Sequence, residues 1–206
     1  MNTSQRSNLV WFDTEYTTLE LEQARLIQVA MVVTDMDGRR IAPPEQDLVT
    51  SVRIPMDFPV SDFVAKECPE LVRAARSDAA PEVEAVDRML AERLDAIVGP
   101  PAKKAKDRPM LAGNTIHADW WFARKDFPSF MSRLFYRNLD VSSLKILWLD
   151  SKLGPEFDKE NPAMILDYLP GYTLPPGTKK HDALYDVLCS IAELNYYRRN
   201  FIKGPC

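Results

Sequence analysis

Cysteine is scarce in this chain, with three residues in 206 at positions 68, 189 and 206, widely spaced and odd in number. That speaks against a disulfide framework, and with no CxxC or Cys/His pairing there is no zinc module, so a reducing cytoplasmic setting is the expectation. Glycine is also sparse, at seven residues, and none of them forms a GxGxxG fingerprint or a P-loop. No run approaches the ~18 apolar residues that a membrane span needs, and residues 1–8 are polar, without the apolar core of a signal peptide. Positive charge is not in excess: 26 Lys and Arg stand against 30 Asp and Glu, a net charge of −4. A global basic field for holding long nucleic acid is therefore missing, which argues against tight, nonspecific duplex binding but not against a short substrate gripped by a local cluster of donors. Internal repeats and low-complexity segments are absent as well.

What remains is an ordinary globular composition, 46% hydrophobic and 27% charged. A chain of this length encloses its own core, and one domain over 1–206 is expected. Its most informative stretch is Leu9-Val10-Trp11-Phe12-Asp13-Thr14-Glu15. Four apolar β-formers read as a strand buried on both faces, and the strand ends in two carboxylates. Residues two apart in a strand share a face, so Asp13 and Glu15 project together. Acidic pairs at the same spacing occur at 20/22, 35/37, 82/84 and 158/160, so spacing alone carries no signal. Position does: this pair directly follows a buried strand. Side-by-side carboxylates repel and pay desolvation unless a cation lies between them, and hard oxygen donors suit Mg²⁺ or Mn²⁺.

Along the chain, residues 25–35 predict a second strand, Met36-Asp37-Gly38 a turn, residues 39–41 the beginning of a third strand, and 47–54 its continuation. This is an antiparallel start. Residues 61–76 read as one helix, N-capped by Ser61 or Asp62. A second covers 81–98, with Val83, Val86, Met89, Leu90, Leu94 and Ile97 near helical spacing. The lysine-rich stretch 99–108 reads as an exposed loop. Residues 109–114 form a short buried strand ending in a Gly-Asn turn, followed by an aromatic helix over 120–125 and a short helical stretch over 127–136. Leu139-Asp140-Val141 is one more strand, capped by Ser142 into a helix over 144–149, with Asp140 bracing the Ser142 turn. A proline-rich loop over 154–180, with a short helix at 162–168, precedes an amphipathic helix over 181–202. Strands first, then alternating helices and strands, indicate an α/β fold with a mixed β-sheet flanked by α-helices.

Three further residues extend the opening pair. Asp119 follows the Gly-Asn turn, Asp186 lies in the first turns of the last helix, and His181 precedes it by five positions, so both border one cavity without bonding each other. Four carboxylates and an imidazole are the equipment of two-metal phosphodiester hydrolysis, with the histidine taking a proton from the attacking water.

The strings that carry these residues resemble the DEDDh exonucleases of the RNase H-like fold, and among those the oligoribonucleases. The family's D-x-E-M-T-G-L falls on Asp13 through Leu19, and its G-N-S-[IV]-x-x-D-R-x-F on Gly113 through Phe122. Its Y-R-[NY]-[VL]-D-V-S-[ST]-[VL]-K falls on Tyr136 through Lys145, and its H-x-A-x-x-D-I-x-x-S-I-A-E-L-x-Y-Y-R on His181 through Arg198. The likeness covers almost the whole chain and is weakest over 43–109. It implies a 3′→5′ exonuclease that hydrolyses very short RNA, dinucleotides included, with two Mg²⁺ or Mn²⁺ ions held by Asp13, Glu15, Asp119 and Asp186, and His181 as general base. It further implies a homodimer in which Tyr136, Arg137 and Ser142 cap the substrate's 5′ end, Leu19 as a wedge between bases, Phe63 as a stacking platform and Asn114 beside the substrate. A broader nuclease trimming longer RNA or DNA, and an inactive nucleic-acid-binding relative, are the alternatives. The chain departs from the pattern at Tyr16-Thr17-Thr18 in place of Met-Thr-Gly, at Gln28 in place of a glutamate, at 68–73, and at Trp120-Trp121 in place of a basic pair.

Overall fold

The computed structural model describes residues 8–169, 171–175, 177 and 180–201. Pro176, Thr178 and Lys179 of the run before His181, together with Ile202 and Cys206, lie outside them. At its centre is the opening strand, β1 (Leu9–Tyr16). β2 (Leu26–Thr34) and β3 (Leu48–Ser51) continue antiparallel on one side. β4 (Met110–Gly113) and β5 (Phe135–Asp140) run parallel on the other, giving the order β3-β2-β1-β4-β5. The antiparallel half needs only short connections, whereas the parallel pair β4/β5 is joined through α4 (His117–Asp126) and α5 (Pro128–Met131).

Side-chain alternation along β1 assigns its residues to two cores. Leu9 and Trp11 pack with Ala30 and Val32 of β2 against α6 (Val141–Asp150), α7 (Pro162–Asp167) and α8 (Ala183–Phe201). Val10 and Phe12 face the opposite way, against α3 (Val83–Val98), α4 and α5. Full burial of Trp11 and Phe12 stabilises the centre of the sheet by about 2–3 kcal/mol each. β4 approaches β1 so closely that a Cβ at Gly113 would stand 3.0 Å from the Phe12 carbonyl oxygen and 2.9 Å from Ile116. Glycine is required there, and the close approach brings the Gly-Asn turn beside the carboxylate end of β1. Among the described residues no helix is long and apolar enough to cross a membrane.

Five expectations need correction. The helix over 61–76 is two, α1 (Asp62–Glu67), capped by Ser61, and α2 (Pro69–Ala75). Pro69 has no N–H to donate and disfavours helical geometry at Cys68, which sits at φ −125°, ψ 43°. Residues 39–41 contribute a single bridge, Thr34 to Arg40, rather than a strand, because Pro43 and Pro44 follow at once. Of 127–136 only α5 is helical; Phe135 and Tyr136 already belong to β5, and Asp140, not Ser142, caps α6 through its carboxylate on the Ser142 N–H at 2.9 Å. The last helix begins at Ala183, with the Asp182 carboxylate accepting from the N–H groups of Leu184 (3.1 Å) and Tyr185 (3.4 Å). His181 is thus off the helix, at φ 66°. Asp140 braces the turn as read, since it also accepts from the Thr115 N–H at 3.0 Å.

Candidate active site

Asp13 and Glu15 extend the Leu9 and Trp11 face of β1, the face α8 covers, and that is why Asp186 in the first turn of α8 meets them. Ligand atoms of Glu15, His181 and Asp186 all lie within 4.8 Å of one another. The backbone N–H of His181 donates to Asp186 Oδ2 at 3.0 Å, so these two residues are joined directly, contrary to the expectation that they merely share a cavity. Thr14 projects to the other side of the strand and there fixes Asp119: its N–H and its hydroxyl both donate to Asp119 Oδ1, at 2.8 and 2.6 Å. Asp119 is buried in the first turn of α4, where the helix N-terminus favours a carboxylate.

Charge in this cluster is poorly compensated. Burial, followed by the charges of Asp186, Asp119 and Asp182, pushes Glu15 up to about 8. Burial raises Asp119 to about 7 against the opposing bonds from Thr14. Asp13 is raised well above the usual carboxylate range, first by burial and then by Asp119, Asp186 and Glu15. Asp186 is also raised by burial, though its bond from His181 and the charge of Lys159 pull the other way. The Glu15, His181 and Asp186 ligand atoms, with Asp13 and Asp119 acting on them and all four carboxylates raised first by burial, fit a bound divalent cation: an added positive charge favours the ionised form of each.

The model of the Exonuclease family matches residues 10–194. An oligoribonuclease of Chromobacterium violaceum is 31% identical over 199 residues, covering 96% of this chain and 97% of the relative. One of Mycobacterium ulcerans is 34% identical over 97% of this chain and 84% of its own length. The chain belongs to the exonuclease family, alongside the oligoribonucleases. Among solved structures, cell-death related nuclease 4 superposes with a TM-score of 0.65 at 17% identity, over 96% of this chain and 65% of that one. Product-bound exonuclease I gives 0.62 at 16% identity, and this chain spans 44% of its length. At such identities these two show the fold, an RNase H-like α/β sandwich.

The exonuclease's remaining candidate residues are spread around the cluster. Phe63, 58% exposed in α1, meets the His181 imidazole edge-on with ring centroids 5.8 Å apart. Leu19, 83% exposed, stands on the loop after β1. Asn114 spends its amide inside the protein, donating to Ser190 (2.8 Å) and Glu193 (2.9 Å) and accepting from the Ser142 hydroxyl (3.1 Å). Its visible work is to tie the Gly-Asn turn to α8 and to hold Ser142. Tyr136 and Arg137 lie on the edge strand β5; Arg137 donates to the Tyr136 hydroxyl at 3.3 Å, and their other ring contact is Phe135. Trp120 and Trp121 are both partly buried against the same core, with Arg124 and Lys125 over their rings at 5.1 and 5.2 Å. Those cations return to the helix some of the positive charge that the two tryptophans displace.

Sequence reasoning missed Thr14, Lys159 and Glu193. Thr14 was legible in principle, since it sits between the Asp13 and Glu15 carboxylates in a strand and must point away from them. Glu193 is fully buried, held by Lys159 (3.1 Å), Asn114 and the Tyr197 hydroxyl (3.0 Å). Nothing in the loop around Lys159 distinguishes it from a surface lysine until the chain folds back onto α8.

Proposed function

We propose that this protein is a cytoplasmic, divalent-metal-dependent 3′→5′ exoribonuclease acting as one domain on very short RNA, dinucleotides included, and releasing 5′-mononucleotides. The observation that carries it is the grouping of Glu15, His181 and Asp186 ligand atoms within 4.8 Å of one another, with the Asp13 and Asp119 carboxylates close enough to act electrostatically on them. Two Mg²⁺ or Mn²⁺ ions held by the four carboxylates would stabilise the attacking and leaving oxygens as Lewis acids. His181, on the bend before α8, takes the proton from the attacking water. Thr14 holds Asp119 in one rotamer, and the His181 N–H does the same for Asp186. Phe63, next to the imidazole, offers a face on which a base can stack, and Leu19 projects where it can separate two bases. The Cys189 thiol is buried outside any disulfide among the described residues, which suits a reducing compartment.

The cap on the 5′ end belongs to the same proposal. Arg137 reads a phosphate bidentately, with Tyr136 adding a hydroxyl. Both sit exposed on the edge strand, and the helix that follows it presents Ile146, Leu147 and Leu149 to solvent, with Leu153 just beyond. A second copy of this chain would cover that apolar face and carry the Tyr136/Arg137 pair to its partner's site. Arg137→Ala is expected to slow hydrolysis of a 5′-phosphorylated dinucleotide about 10-fold or more and to affect the unphosphorylated one far less; equal losses on both would remove the cap.

The test of the reading itself is a length series of RNA and DNA from two to about ten nucleotides with Mg²⁺ or Mn²⁺. A strong preference for the RNA dimer is expected. Equal rates at all lengths would instead identify a general trimming nuclease, and no cleavage at any length a binding protein.

A further inference from the structure

The bend that carries His181 is held from the sheet by a residue outside the catalytic set. Gln28 lies in β2 directly across from Glu15 in the antiparallel register and is only 7% exposed. Ala30 and Val32, on the same face of β2, pack against α8, so the Gln28 side chain points at the start of that helix. There its Oε1 accepts a hydrogen bond from the Ala183 N–H at 2.9 Å. Ala183 opens α8 and is fully buried. An N–H in the first turn has no acceptor within its own helix, and water does not reach this one.

Two bonds thus bracket His181 within three residues. Its own N–H is tied forward to Asp186, and the Ala183 N–H is tied sideways to the sheet. Between them His181 holds φ 66°, a left-handed conformation that a non-glycine residue keeps only where its surroundings impose it. The edge of the Phe63 ring closes a third side.

We propose that Gln28 is a positioning residue for His181: by accepting the Ala183 N–H it fixes the bend that aims the imidazole at Glu15 and Asp186. This rests on His181 being the general base. An amide oxygen serves as acceptor as well as a carboxylate would, while adding no further negative charge across from Glu15. Gln28 moves no proton itself; it sets the fraction of time the imidazole is correctly aimed, and misplacement on that scale costs rate rather than binding.

Gln28→Met keeps the reach and volume of the side chain without the acceptor. Its kcat on a dinucleotide is expected to fall about 10–100-fold with KM within about three-fold, and Gln28→Glu should recover most of the loss. Amide exchange at Ala183, followed by NMR, should quicken in Gln28→Met. The deciding measurement is made in a His181→Ala background, where Gln28→Met should cost little more, because the group it acts through is gone. Losses that multiply in full, or an unchanged kcat despite faster exchange at Ala183, would overturn the positioning role. An unimpaired His181→Ala would overturn the base assignment instead, and with it the premise. If Gln28→Met does not fold, Gln28→Asn, too short to reach Ala183, is measured in its place with the same outcomes.

Discussion

Asp119→Asn is expected to reduce hydrolysis by at least about 10³-fold while making the metal-free protein more resistant to heat at pH 8. Both effects come from one charge. Asn keeps the Oδ1 that receives the Thr14 N–H and hydroxyl, so β1 and the start of α4 stay joined. What disappears is a buried negative charge that raises the carboxyls of Asp13 and Glu15. With a cation bound, that charge is needed; without one, it is pure repulsion. Removing it should relieve the fold by about 1–3 kcal/mol, or roughly 2–10 °C in a chain of this size. Asp186→Asn should behave alike in activity. The measurement is turnover of a dinucleotide beside thermal melts in chelator. Retained activity would take Asp119 out of the site, and a lowered melting temperature would mean that its role in the fold outweighs the repulsion.

Stripping the metal should make stability depend on pH with an unusual sign. Glu15 at about 8 and Asp119 at about 7 hold their protons more tightly folded than unfolded. The folded state therefore binds more protons than the unfolded one between about pH 4.5 and 8, and stability falls as pH rises through that window. Glu15 alone accounts for a loss of about 3 kcal/mol from pH 5 to pH 8, a drop of roughly 6–12 °C in the melting temperature in chelator, and Asp119 adds to it. Mg²⁺ or Mn²⁺ competes with protons for the same oxygens, so its stabilisation should be largest at pH 8, about 2.7 kcal/mol at a concentration 100 times its Kd. Hydrolysis should vanish in chelator and return with the ion. A metal-free melting temperature that is flat or rising across this range would mean that the carboxylates are compensated within the protein, and the case for a cation would collapse.

Strand patterning and local chemistry were readable residue by residue. The apolar runs of β1 and β2, the paired carboxylates on one face of β1 and the amphipathic α8 follow from run length and from periods of two and 3.6, which depend only on neighbours in the chain. Elements failed to be read where a local signal competed with pairing to a distant strand. Phe135 and Tyr136 continue a helical-looking stretch, yet they become edge strand because β4 pairs in parallel with Phe135, Asn138, Leu139 and Asp140. The division of 61–76 is legible in Pro69, which removes an N–H and disfavours helical geometry at the residue before it.

By itself, then, the chain's order of residues determined a mixed α/β sheet and pointed to five side chains as candidates for metal and proton chemistry, since those readings depend on residue type and on motifs that survive without coordinates. Tertiary structure alone decided how the five are held: Thr14 on Asp119, Gln28 on Ala183, Asn114 spent between Ser142, Ser190 and Glu193, and His181 forced into a left-handed bend. Each of those contacts joins residues far apart in the chain, and its energy exists only once sheet packing has excluded water and left a buried donor with a single acceptor in reach.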